Sequence, residues 1–213
     1  MDVKIDDSMP LDINGPGIVL FTSGTTGPPK AAVLPRRSLT SEYLAKPGSA
    51  GINWRAGHWI SGADTLIVPI LAGQSLYCIG WNAAAEDILQ AFTNHHITYA
   101  LFNPTLLRKM KDLITGETGT LTEDANKSYC TLFRGLSTIM CGGNGIEESI
   151  QQFWVDLTGI PVENFYASTE IGTRAIGCIS EPVVRLHFRI HPSNIADSKT
   201  AGLHRICSAR SGG

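Results

Sequence analysis

Short apolar runs alternate with stretches whose apolar residues recur at helical spacing from residue 62 to residue 165, and this leaves few architectures open. Asp64 to Ala72 reads as helical or buried and ends at Gly73. Ser75 to Ile79 reads as a strand. Glu86 to His95 reads as a helix with Ile88, Leu89 and Phe92 on one face. Ile97 to Phe102 is a strand, and Pro104 opens the next helix, a position that tolerates its missing N–H. That helix carries Leu106, Leu107, Met110 and Ile114 at helical spacing. Leu136 to Met140 is a strand, Glu147 to Leu157 a helix with Ile150, Phe153, Trp154 and Leu157 at i, i+3, i+4 and i+7, and Val162 to Phe165 a strand. The reading is an α/β fold with a largely parallel sheet flanked by helices.

The flanks are less regular. Residues 1–16 form a polar lead-in. Ile18 to Phe21 is expected as a buried strand, Ala31 to Leu34 as a second strand, and Ser38 to Lys46 as a short helix closed by Pro47-Gly48. Residues 115–128, polar and carrying Gly116 and Gly119, are expected as a surface loop. Val183 to His191 alternates with strand period, and after Pro192 the chain turns polar and aperiodic, so a poorly ordered tail is expected.

Composition excludes several function classes. The 213 residues are 43% hydrophobic and 17% charged, with a formal net charge of -2, so neither disorder nor a basic nucleic-acid face is expected. The longest apolar run, Leu66 to Gly73, is broken by Pro69 and is too short to span a bilayer. Five cysteines without metal-clip spacing read as reduced thiols. The acidic N-terminus has no apolar signal-peptide core and the C-terminus no peroxisomal tripeptide, so a cytoplasmic location is expected. His187 and His191, on one strand, would lie about 13 Å apart and cannot share an ion.

The chemistry-bearing segment is Thr22-Ser23-Gly24-Thr25-Thr26-Gly27-Pro28-Pro29-Lys30, directly after a strand. Glycines let backbone N–H groups approach an anion, hydroxyls add donors, and Lys30 adds a cation. The chemical sense is a cradle for the β- and γ-phosphates of ATP. It is not a Walker loop, because Pro29 stands at the second glycine position and Ala31 follows the lysine.

This string resembles the phosphate loop of the adenylate-forming superfamily, which includes acyl-CoA synthetases and peptide-synthetase adenylation domains. Other stretches match in order. They are Pro69-Ile70-Leu71-Ala72-Gly73, the segment from Ile97-Thr98-Tyr99 to Pro104-Thr105-Leu106-Leu107, Cys141-Gly142-Gly143-Asn144-Gly145, and Tyr166-Ala167-Ser168-Thr169-Glu170-Ile171-Gly172. Ala167 stands where the family usually has glycine. The resemblance covers residues 16–180 and implies part of the large N-terminal domain of such an enzyme.

The resemblance also implies roles. Thr22, Ser23, Gly24, Thr25, Thr26, Gly27 and Lys30 would bind the ATP phosphates. Gly142, Gly143 and Asn144 would line the adenine and acyl pocket through backbone groups, and Tyr166 would stack on adenine. Thr169 would donate to a phosphate and Glu170 would hold Mg²⁺, making these two the catalytic pair. His58 would contact the acid substrate. The implied reaction joins a carboxylic acid to ATP as acyl-AMP and passes the acyl group to CoA. The residues alone also allow simpler readings: Tyr166 as a core tyrosine, Gly142-Gly143 as a plain strand-to-helix turn, and His58 as a surface histidine.

Parts of the family pattern have no match. No Thr-Gly-Asp string for the ribose occurs, and the only lysine after Lys127 is Lys199. The expectation is a partial adenylation domain over residues 1–180, a short strand and tail over 181–213, and no C-terminal domain with its catalytic lysine. A truncated ligase and a nucleotide-binding module without turnover both fit that expectation.

Overall fold

The computed structural model describes residues 8, 12–22, 27–39, 48–81, 83–180 and 186–190. Two sheets organise it. A hairpin pairs β1 (Pro16–Thr22) with β2 (Lys30–Pro35) antiparallel. The main sheet contains β3 (Ala50–Asn53), β4 (Ser75–Cys78), β5 (Tyr99–Phe102), β6 (Thr138–Gly142), β7 (Val162–Ser168), β8 (Gly172–Ser180) and β9 (Leu186–Ile190). Their spatial order is β4-β3-β5-β6-β7-β8-β9. β3 to β7 are parallel, and β8 and β9 join antiparallel.

The crossovers are α1 (Ile60–Leu71), α2 (Ala85–Asn94), α3 (Pro104–Thr115), α4 (Glu123–Leu132) and α5 (Glu148–Thr158). Because side chains alternate along a strand, β5 feeds both faces. Ala100 and Phe102 join Ile88, Phe92, Leu107, Met110 and Trp154 of α2, α3 and α5 in the larger core. Tyr99 and Leu101 face the other way, against Val68 of α1, Met140 and Phe165. Helices on both faces cover a sheet whose central strands are buried on both sides. Trp154, 1% exposed, anchors the larger core. Its indole N–H donates to the Leu107 carbonyl at 3.1 Å, and Phe133 meets it edge-on at 5.5 Å between centroids.

Strand order locates the crevice where a ligand fits. β3 connects through α1 to β4 on one side, whereas β5 connects through α3 and α4 to β6 on the other. The neighbouring pair β3 and β5 is therefore the switch point, where diverging connections leave a gap beyond the carboxyl ends of the strands.

Several sequence expectations change. Ile18 to Phe21 is a strand, but not a buried one. Leu20 is buried against Leu34 and Ala63 of α1, while Val19 is 51% and Phe21 65% exposed. A hairpin lying on a helix buries one face only, so a continuous apolar run is no proof of burial on both. Residues 115–128 are not a plain loop, because α4 begins at Glu123. It has no fully buried residue, only Tyr129 and Leu132 half-covered against the larger core, so its apolar stripe is weak. Its start is fixed by Thr122, whose hydroxyl accepts from the Ala125 N–H at 3.3 Å, and by Glu123 paired with Lys127 at 3.0 Å. β3 escapes the sequence pattern because Ala50-Gly51-Ile52-Asn53 offers a single large apolar residue. Gly51 is required there, since a Cβ would meet the Tyr99 ring at 2.4 Å. At the expected 38–46 helix, Arg36–Leu39 forms a 3-10 turn and residues 40–47 lie outside the described residues. So do 181–185 and everything after 190, including the expected tail. Among the described residues no helix is long and apolar enough to cross a membrane.

Candidate active site

The hydroxyl-rich segment starts at the end of β1 and finishes at the start of β2. Thr22 and Lys30 are its last cross-strand pair, and the Thr22 hydroxyl donates to the Lys30 carbonyl at 3.4 Å. Ser23, Gly24, Thr25 and Thr26 lie outside the described residues. Gly27 and Lys30 are exposed. Both hairpin strands pack against the 3-10 turn Thr169–Ile171, far along the sequence. The stem of the loop and the Thr169-Glu170 pair therefore share one edge of the molecule. Thr169 is half-buried and Glu170 exposed. Gly172 follows with φ +80°, a conformation favouring glycine, which turns the chain back into β8.

Gly142, Gly143 and Asn144 leave the carboxyl end of β6. Gly142 pairs with Phe165 of β7, and a Cβ on it would lie 2.6 Å from the Phe165 ring. Gly143 has φ +101° and open space where a Cβ would be. One residue beyond Phe165, Tyr166 points to the opposite face and is 59% exposed. The turn and an available aromatic ring thus stand at the ends of adjacent strands. The reading of Tyr166 as a core tyrosine does not hold, because its neighbour Phe165 takes the core position.

A cavity of about 500 Å³ opens at the switch point between β3 and β5. His58 lines it, with Trp54, Arg55, Trp59, Ser61, Trp81 and Asn103. Trp54 and Arg55 follow β3, and Asn103 follows β5. The Trp54 indole N–H donates to the Leu101 carbonyl at 2.9 Å. Asn103 is locked as the N-cap of α3, its side-chain oxygen accepting from the Leu106 N–H at 2.7 Å. Asn53, buried at the end of β3, accepts from the Arg55 N–H at 3.0 Å and from the Thr65 hydroxyl at 3.1 Å, which sets the exit path of the chain. Gly62 lets α1 start against this segment, since a Cβ would meet the Ala56 carbonyl at 2.0 Å. The His58 and Trp59 rings lie 5.4 Å apart.

Arg55 and Cys141 connect this cavity to the β6 turn. The Arg55 guanidinium lies 4.6 Å from the Trp54 ring centre, and burial pulls it down to about 10. Cys141, fully buried next to Gly142, is pushed up to about 12 by burial, slightly opposed by the Arg55 charge. Arg55 stays charged at neutral pH and Cys141 stays a neutral thiol. The sequence pattern missed Trp54, Arg55, Trp59, Trp81 and Asn103. One signal was available, because three of the chain's four tryptophans line this cavity.

Among the described residues no group of three His, Cys, Asp or Glu could hold a metal. Glu170 alone fits Mg²⁺ in another way, as one carboxylate completing a shell of phosphate oxygens and waters. The exposed Glu170, the Gly142–Asn144 turn with room beside it, and the uncovered Tyr166 ring suit a Mg²⁺-bound nucleotide.

Comparison with known proteins bears on the family and the fold. The family model described as AMP-binding enzyme matches residues 4–198. Acyl-CoA ligase oryP of Aspergillus oryzae is 27% identical over 172 residues, covering 78% of this chain and 31% of that protein. Nonribosomal peptide synthetase NPS2 of Ceriporiopsis subvermispora is 25% identical over 189 residues, covering 83% of this chain and 7% of that protein. Apo MatB from Rhodopseudomonas palustris shares the fold with TM-score 0.65 at 18% identity, over 87% of this chain and 34% of that one. o-Succinylbenzoate coenzyme A synthetase from Bacillus subtilis, solved with ATP and magnesium ion, does so with TM-score 0.60 at 17% identity, over 84% and 36%. The chain spans about a third or less of the length of these relatives. A family match over most of the chain, a parallel α/β sheet shared with solved ligases and the ordered motifs give one conclusion: the chain belongs to the AMP-binding, adenylate-forming enzyme family.

Proposed function

We propose that this chain carries the nucleotide and acid sites of an acyl-CoA ligase, which activates a carboxylic acid with MgATP as acyl-AMP and transfers the acyl group to CoA. The observation that carries the reading is the packing of the β1–β2 hairpin stem against the Thr169–Ile171 turn. It supports a single phosphate site built from two distant motifs.

In this reading Lys30 and the hydroxyls of Thr22, Ser23, Thr25 and Thr26, with Gly24 and Gly27 giving close backbone approach, bind the departing pyrophosphate. Thr169 donates to a phosphate oxygen, and Glu170 holds Mg²⁺, which would offset charge on the phosphates. Tyr166 stacks on adenine, and the backbone of Gly142, Gly143 and Asn144 borders the base and the acyl group. The acid lies in the switch-point cavity beside His58. The indole rings of Trp54, Trp59 and Trp81 offer apolar surface to the acid there.

The nonribosomal peptide synthetase relatives favour a second reading, in which the thiol acceptor is carrier-bound rather than CoA. A nucleotide-binding module without turnover is a third. ATP–pyrophosphate exchange with a panel of carboxylic acids tests the first half-reaction. Exchange that depends on one acid class supports an adenylating enzyme. Nucleotide binding without exchange for any acid supports the module, and CoA-dependent thioester formation separates the two acceptors.

A further inference from the structure

Arg55 is an unusual residue to find in the wall of an acyl pocket. Its Nη1 donates to the Ser61 hydroxyl at 2.7 Å and its plane lies over Trp54, but its Nε and Nη2 are buried without any hydrogen-bond acceptor. No carboxylate of the described residues pairs with it. A buried guanidinium cannot escape the cost of its orphaned N–H groups by losing its proton, because at about 10 it is still cationic at neutral pH. An acceptor from outside the chain resolves that conflict. Arg55 lines the cavity, and because Nε and Nη2 are sealed in this conformation, a ligand reaches them only once the side chain turns about its outer torsions and gives up the bond to Ser61. The Nε–Nη2 edge matches a carboxylate, which accepts two parallel N–H bonds.

The rest of the wall selects what carries that carboxylate. Trp54, Trp59 and Trp81 line the cavity with His58, and Trp59 and Trp81 are 52% and 68% exposed, with ring surface that no group of the described residues covers. Such walls suit a flat ring. We propose that the pocket accepts an aromatic carboxylic acid bearing a second acidic group, with the ring among the tryptophans and the second carboxylate on the Arg55 guanidinium. The inference rests on the reading of this cavity as the acid site and adds the substrate class.

The test is calorimetric titration of the full chain with 4-carboxycinnamate and with 4-carbamoylcinnamate, which keeps the size but loses one charge. Indole N–H signals in NMR report ring contact, with buried Trp154 as the unmoved control. The diacid is expected to bind about ten- to a hundredfold more tightly, the range for hydrogen bonds to a charged group. Arg55→Met should erase that preference, and Arg55→Lys should keep part of it, with thermal melts confirming that each variant is folded. Equal affinities on the wild type overturn the proposal without reference to any variant. So does a preference that survives Arg55→Met, or an Arg55 dependence found for ATP and not for the diacid. If neither probe binds or shifts the indole signals, the acid-site reading falls and the inference with it. If both bind equally with indole shifts, only the inference falls.

Discussion

Lys30 and Glu170 do separable work at the residue scale. Lys30 is an exposed cation at the base of the hairpin tip, and in the proposed site it meets only phosphate. Lys30→Ala should therefore weaken ATP use about ten- to a hundredfold, the range for hydrogen bonds to charged groups, while leaving acid binding unchanged. Steady-state exchange measured separately against ATP and against the acid checks this, and equal losses for both would remove Lys30 from the phosphate site. Glu170 follows the half-buried Thr169 and is exposed, so its carboxylate makes no core contact that glutamine would break. Glu170→Gln keeps the shape and loses the charge. Binding of MgATP should weaken, whereas adenosine binding without metal and the melting temperature should stay as in the wild type. Titration with and without Mg²⁺ is decisive. If glutamine leaves the metal dependence unchanged, Glu170 only closes the turn into β8.

Turns and caps at the element scale divide what the sequence could reveal from what it could not. The helices with a buried stripe were legible, because Leu106, Leu107, Met110 and Ile114 of α3 and Ile150, Trp154 and Leu157 of α5 repeat at helical spacing. α4 was not, since only Tyr129 and Leu132 touch the core and its start is marked by the Thr122 cap and an acidic first turn. Thr122→Ala should thus cost about 1 kcal/mol, visible as a small fall in thermal midpoint. β3 was hidden for a different reason. Its small residues are dictated by Tyr99 pressing on Gly51, a contact between segments that no local pattern encodes. The site divides the same way. Its phosphate and Tyr166–Glu170 motifs are contiguous strings and could be read. The cavity wall is assembled from the ends of β3, β4 and β5, so Trp54, Arg55 and Trp81 meet only through topology. Gly142 sits where both kinds of constraint coincide. Gly142→Ala would push a methyl into the Phe165 ring, destabilising the fold by about 1–3 kcal/mol and displacing Tyr166 beside it. A variant that melts like the wild type and binds nucleotide equally would show that the β6 turn tolerates a side chain.

Cys141 reports on the whole molecule, because it lies on the central strand β6 with the helices of the larger core over it. It is fully buried, while Cys78 and Cys130 are exposed. Alkylation at neutral pH followed by peptide mapping should label Cys78 and Cys130 quickly, and Cys141 only as fast as the sheet opens. The same burial sets a pH dependence. In the unfolded chain the thiol titrates near its ordinary 9.0, and in the folded protein it is pushed up to about 12. Between those values the unfolded state has lost a proton that the folded state retains, so stability falls as pH rises above 9. Arg55 works in the opposite sense. Its folded value of about 10 lies below its ordinary 12.5, so folded protein releases that proton first and stability is regained as pH rises through 10. From pH 9 to 10 the thiol dominates: its loss is about 1 kcal/mol, since one pH unit of full linkage is worth roughly 1.4 kcal/mol, and the onset of Arg55 deprotonation offsets about a third of it. Cys141→Ala should be less stable at neutral pH for the volume it removes, yet should lack this fall. Denaturant melts at pH 8, 9 and 10 on both proteins give the answer. A wild type whose stability is flat across the window, or a Cys141→Ala variant that falls as steeply, would mean that β6 is open to water and that the core described around it does not form.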